Sequence, residues 1–179
     1  CNLELEFALK SLIEKLETAG VAEKTVIAIS PDHYPYGLPV ESITELAGHK
    51  LESNFELYKS TFIIWKKGMK RVVIDKPCAS LDIIPTLSNL FGLKYDSRLL
   101  MGSDILSDAS PLVIFSNRSW ITDKAKYNSI TNKALFADDS INDSAYIRNI
   151  NKLVDNKFIY SQKILERDYY SKLLLQSQK

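Results

Sequence analysis

The stretch TVIAIS, residues 25–30, constrains this chain more than any other. Its apolar, β-branched residues run on without polar alternation, the pattern of a buried strand covered on both faces. A helical pattern precedes it. Leu5, Leu9, Leu12 and Leu16 recur at helical spacing with Glu and Lys between them, and Gly20 stands just past the last turn as a stop. A helix followed by a strand that needs cover on two sides points to a layered α/β fold.

The rest of the chain extends that pattern. Residues 61–65 (TFIIW) and 71–74 (RVVI) read as two further strands joined by a Lys-Lys-Gly turn. SLDIIPTLSNLFG, 80–92, reads as a helix with a Ser or Asp cap, an early Pro85 and Gly92 after the last turn. PLVIFSN, 111–117, is another strand, and a short polar hairpin region follows through Phe136. From Asn142 to Gln176, the residues Ile147, Ile150, Val154, Phe158, Leu165, Tyr169 and Leu173 keep a helical period, which predicts a long terminal helix with a break. The predicted fold is therefore an α/β layered core with a small antiparallel β appendage and a long C-terminal helix.

Composition adds mainly exclusions. The 179 residues carry 23 basic and 22 acidic side chains, a formal net charge of +1, so no bulk field favours nucleic acid or an anionic membrane. Cys1 and Cys78 are too few for a disulfide framework or a thiolate metal centre. No stretch approaches the roughly 20 apolar residues of a transmembrane helix. Because the sequence opens at Cys1 within a helical pattern, it is expected to be a piece of a longer chain.

Chemistry concentrates just beyond the first strand. TVIAIS stops at Pro31, and Asp32 and His33 follow side by side, ahead of a segment rich in Tyr, Pro and Gly. In open α/β sheets, functional groups gather past the carboxyl ends of strands. A carboxylate and an imidazole offer a hard oxygen and a borderline nitrogen, a set suited to Mn²⁺ or Zn²⁺ and usable by Mg²⁺ through the oxygen. Neighbouring strand residues point to opposite faces, so one ion can reach both only where the chain leaves strand geometry; Pro31, Pro35 and Gly37 permit that. The same pair also fits an ordinary turn cap. Two ligands cannot hold a catalytic metal, so any others come from elsewhere.

The other histidine, His49 in AGHK, is a candidate contact for an anionic substrate or the metal, and equally a solvated loop residue. Asp82 reads as a helix cap or an acid supporting a ligand, Asp96 with Arg98 as a local ion pair, and Trp65 and Trp120 as packed aromatics. No Gly-rich phosphate loop, G-x-S-x-G elbow or Cys-His pairing is present.

The order DHYPYGL, FELYKSTFIIW, SLDIIPTLSNLFGLKYDSRLLMGSDIL, PLVIFSNRSWIT resembles the C-terminal half of the sulfatase domain in lipoteichoic acid synthase-type phosphoglycerol transferases, of the alkaline phosphatase and sulfatase superfamily. The resemblance implies that residues 1–136 are the C-terminal portion of a sulfatase-like α/β/α sandwich and that 137–179 form a C-terminal helical segment. It implies a membrane-anchored enzyme on the extracellular face of a bacterial cell membrane. Such an enzyme uses a threonine nucleophile and one divalent cation, Mn²⁺ first, with Mg²⁺, Zn²⁺ or Ca²⁺ as alternatives, to move glycerol phosphate from phosphatidylglycerol to a glycolipid or growing polymer. The family's metal-binding Asp-His pair falls on Asp32 and His33. Its nucleophile, first acidic ligand and main phosphate-binding residues lie upstream and match nothing here. No catalytic nucleophile is therefore assigned to this chain, which is expected to be inactive alone.

The implied partners are the upstream half of its own catalytic domain and an anionic lipid or a phosphate or sulfate ester. No nucleic acid is among them. An exposed sheet edge predicts self-association of the isolated chain. A sulfatase or phosphodiesterase of the same superfamily, and a non-catalytic scaffold that keeps the fold, are the alternatives.

Overall fold

The computed structural model describes residues 2–138, 140 and 142–176. It is mixed α/β, with small antiparallel sheets and C-terminal helices, in agreement with the α/β expectation. Two compact units divide it, residues 1–73 and 74–179. The division expected at 136 falls inside the second unit, because the helix beyond it shares a core with the strands before it.

In the first unit, helix α1 (Asn2–Thr18) follows its leucine stripe and ends where Gly20 takes a left-handed conformation at φ 70°. That turn lets the Val21 N–H reach the Leu16 carbonyl at 3.0 Å and the Gly20 N–H reach Glu17 at 2.9 Å, satisfying carbonyls the helix leaves open. Strand β1 (Val26–Ile29) pairs antiparallel with β2 (Ile63–Lys66), Ile29 opposite Ile63 and Val26 opposite Lys66. Between them lies helix α2 (Val40–Ala47), and the Glu17 carboxylate meets Lys67 Nζ at 3.0 Å beyond β2.

Two expectations are corrected here. Residues 71–74 form no strand, and Val72 and Val73 are exposed. Their β-branched side chains favour extended backbone, but β2 pairs with β1 alone, so the run has no ladder to join. Nor is β1 enclosed: its residues are half-buried or exposed, as a two-stranded ribbon leaves them. Among the described hydrophobic residues of this unit only Ala22 and Phe55 are buried, while Leu3, Leu5, Phe7, Val40 and Leu46 are exposed.

The second unit begins its regular structure with a 3-10 turn (Ser80–Asp82) running into helix α3 (Ile83–Leu90), then a second 3-10 turn (Ser97–Leu99). Strands β3 (Val113–Ile114), β4 (Trp120–Ile121), β5 (Ala125–Asn128) and β6 (Lys133–Phe136) form an antiparallel meander. Helix α4 (Ser144–Glu166) starts at Asp143, whose carboxylate accepts the N–H groups of Ala145 and Tyr146, both at 2.9 Å. Its Tyr146, Ile147, Ile150, Val154 and Phe158 stripe covers the meander, with Trp120, Ala125 and Val154 fully enclosed. Trp120 donates its indole N–H to Asn151 Oδ1 at 2.7 Å, so burying the ring strands no polar atom. The predicted break lies between α4 and α5 (Tyr169–Gln176), where Asp168 turns left-handed at φ 47°.

Candidate metal and substrate site

Strand β1 ends at Ile29, and Pro31, lacking an N–H, cannot continue a ladder. The chain leaves strand geometry there, and Asp32 and His33 turn their side chains toward each other, Oδ1 to Nε2 at 3.4 Å. Both are open to solvent, with side-chain exposures of 87% for Asp32 and 48% for His33. The other ring nitrogen, Nδ1, lies 2.7 Å from the Tyr34 carbonyl. A carbonyl only accepts, so Nδ1 donates to it and Nε2 is the ring nitrogen turned toward the carboxylate. Nε2 and Oδ1 face one another across 3.4 Å, an approach suited to a proton or a cation between them. Metal-bound histidines are commonly fixed this way, by a backbone carbonyl on the opposite nitrogen. The donor set and its orientation thus fit a divalent ion.

An aromatic cluster adjoins His33. His33 and Tyr36 ring centroids are 4.3 Å apart, Tyr34 sits 6.0 Å from Tyr36, and Tyr34 meets Tyr58 edge-on at 5.3 Å. Tyr58 ends a 3-10 turn (Glu56–Tyr58) that also carries the partner of His49. His49 Nε2 lies 3.3 Å from Glu56 Oε2, and its Nδ1 donates to the Ala47 carbonyl at 3.0 Å. The turn therefore links the loops that bear His33 and His49, although no hydrogen bond or ion pair joins His49 to Asp32 or His33 among the described residues. Sequence reasoning did not single out Tyr34, Tyr36, Tyr58 or Glu56. The Tyr-Pro-Tyr spacing after the Asp-His pair was the available signal.

Other candidates have structural work. Asp82 is buried in the second unit; Oδ2 accepts the Ala79 N–H at 2.8 Å and Oδ1 the Ser103 N–H at 2.7 Å. Buried Thr86 donates to the Asp82 carbonyl at 2.6 Å and accepts the Ile105 N–H at 2.9 Å. The D-I-I-P-T run is thus a clamp that docks residues 103–105 on α3. Asp96 and Arg98 form the expected pair at 2.7 Å, and the guanidinium hydrogen bonds hold the Asp96 carboxyl at about 2. Partial burial, and then the Asp82 charge, pushes the Cys78 thiol up, which leaves it a poor nucleophile. Among the described residues, no group of three His, Cys, Asp or Glu side chains could hold an ion.

The structure thus places an exposed Asp-His pair just beyond the end of a strand on a mixed α/β scaffold. The family model described as Sulfatase matches residues 1–93, just over half of the sequence, and the chain belongs to that family. It is similar to the lipoteichoic acid synthase-like YvgJ of Bacillus subtilis (strain 168), 27% identical over 169 residues, covering 90% of this chain and 27% of that protein. The lipoteichoic acid synthase of Staphylococcus saprophyticus is 30% identical over 129 residues, covering 69% of this chain and 20% of the relative. Lipoteichoic acid synthase 2 of Bacillus subtilis (strain 168) is 25% identical over 177 residues, covering 92% and 26% respectively. The chain thus spans between a fifth and about a quarter of the length of these curated relatives.

Proposed function

We propose that this chain is the C-terminal part of a metal-dependent phosphoglycerol transferase that acts on phosphatidylglycerol-type phosphodiesters at the extracellular face of a bacterial cell membrane. The observation that carries the reading is the strand-end Asp32–His33 pair, with Nδ1 on the Tyr34 carbonyl and Nε2 turned toward the carboxylate. Asp32 Oδ1 and His33 Nε2 hold the divalent ion, Mn²⁺ as the first choice, and the Tyr34 carbonyl fixes the ring that presents the nitrogen. The remaining ligands and the nucleophile belong to the upstream half of the catalytic domain. When bound, the ion supplies Lewis-acid stabilisation of charge on the nucleophile and phosphoryl oxygens. His49 approaches the anionic substrate from the adjoining loop once Glu56 yields it.

The exposed apolar residues of the first unit support the need for a covering partner, and the upstream half of the domain is that partner. Without it the chain self-associates, which light scattering over a dilution series reads directly. Hydrolysis of a sulfate ester is the second reading, favoured by the family model, and assays of the full-length enzyme on both substrate types separate the two.

Calorimetric titration of Mn²⁺ into the full-length protein that contains this chain, beside its Asp32→Ala and His33→Ala forms, tests the site. Each variant should lose more than the roughly 10–100-fold that partners merely supporting a ligand contribute. Mn²⁺ binding indifferent to both substitutions would leave the pair as a turn and end the metal reading.

A further inference from the structure

Where α4 gives way to α5, the second unit forms a cleft of about 420 Å³ against the 3-10 turn Ser97–Leu99. Its size lies within the range of roughly 300–1,000 Å³ typical of small-ligand sites. Three cations line it, Arg98 from the turn and Lys163 and Arg167 from the end of α4. One acid, Asp96, shares the cleft, and it is committed to Arg98 through Nη2 at 2.7 Å and Nε at 2.9 Å. Three cations against one acid leave two positive charges in excess. Among the described residues, neither Lys163 nor Arg167 has a carboxylate within ion-pair distance.

Lys163 and Arg167 alone would be ordinary compensation for the negative end of the α4 dipole. Arg98 is not, since it arrives from a separate turn with its guanidinium oriented by Asp96 and its Nη1 left without a partner among the described residues. The left-handed Asp168 brings Tyr169 into the lining, and the Tyr170 hydroxyl donates to the Leu99 carbonyl at 3.3 Å, tying α5 to the turn. Tyr160 adds a second ring. Three cations together with two tyrosine rings in one lining suit a small organic phosphate better than a bare inorganic ion.

We propose that this cleft binds the phosphate group of a glycerol phosphate moiety, with Arg98, Lys163 and Arg167 around the anionic oxygens and Tyr160 and Tyr169 against the glycerol carbons. The choice of glycerol rests on the transferase reading above, whereas the cationic cleft does not. The moiety has two sources, a soluble glycerol phosphate unit or a phosphatidylglycerol headgroup.

The test uses the full chain. Glycerol 3-phosphate is titrated calorimetrically into the wild type, a Lys163→Gln/Arg167→Gln double variant, an Arg98→Gln variant and a Lys126→Gln/Lys133→Gln control, with thermal unfolding as the check on folding. In parallel, each is sedimented with phosphatidylglycerol–phosphatidylcholine vesicles and with phosphatidylcholine vesicles. Both cleft variants should lose at least about tenfold in affinity, while the control stays within about twofold. Loss confined to the soluble ligand assigns the free source, and loss confined to phosphatidylglycerol vesicles assigns the lipid. Binding of neither probe by the wild type, or equal loss in the control, overturns the proposal. Retained glycerol phosphate binding beside a failed Mn²⁺ titration would instead count against the transferase reading and leave the cleft standing.

Discussion

Removing the Asp82 carboxylate should uncouple residues 103–105 from α3, and the size of the loss follows from the contacts. Asp82→Ala leaves two part-buried backbone donors, Ala79 N–H and Ser103 N–H, without their acceptor. An orphaned buried donor costs about 1–3 kcal/mol, and partial access of water keeps these two at the lower end, so the sum is about 2 kcal/mol. Lys157 adds little, because its Nζ keeps the Met101 carbonyl at 2.7 Å. Asp82→Asn retains one acceptor but turns an amide N–H₂ toward the second donor, for roughly half the loss. With a urea slope of about 1.5 kcal/mol/M, Asp82→Ala moves the midpoint down by about 1.3 M. Trp120, the buried indole of this unit, reports the transition in a Trp65→Phe background. Gly102→Ala attacks the same joint from the other side, because a Cβ there would fall on the Leu81 carbonyl. Shifts below about 0.5 kcal/mol in both Asp82→Ala and Gly102→Ala would show that the loop is not docked on α3 and would refute the clamp.

Two further outcomes are expected. Val154→Ala removes two enclosed methyl groups between α4 and the meander and should cost about 2 kcal/mol, or about 10 °C in thermal midpoint, whereas exposed Leu165→Ala should stay within about 0.5 kcal/mol; circular dichroism melts compare them. Asp96, held at about 2 by its Arg98 hydrogen bonds, has a folded value below the ordinary carboxylate one, so the stabilisation it contributes is complete above the ordinary range and is lost as pH falls through about 2. Carboxyl NMR titration should show that midpoint, and Arg98→Gln should return it toward the usual range; a midpoint unchanged by the substitution would remove Arg98 as the cause.

The stripes of α1 and α4 were legible because i, i+3 and i+4 spacing is a local property, whereas the position of the break, at the left-handed Asp168, was not. RVVI misled because β-branching encodes extended backbone and not the identity of a pairing strand. Helix α2 was missed even though Pro39 and Gly48 bracket it, since its eight residues hold too few apolar positions to establish a period. The Asp82 clamp was half visible: the cap could be read from spacing, but its reach to Ser103, 21 residues on, could not.

The Asp32–His33 pair shows the same division between local and distant information, and physics explains why the chain tolerates it. Donor chemistry is written in two adjacent residues, whereas the Nδ1–Tyr34 bond that aims Nε2 appears only once the loop has folded back. Were the pair buried, an uncompensated carboxylate would be costly and folding would be tied to the ion. Both side chains are instead solvated, so their placement adds little desolvation cost to folding. Strong affinity then has to come from residues that complete the coordination and exclude water, because a carboxylate and an imidazole left in high dielectric gain little from a shared cation. On the metal reading proposed above, a pair this exposed would gain its affinity only when covered.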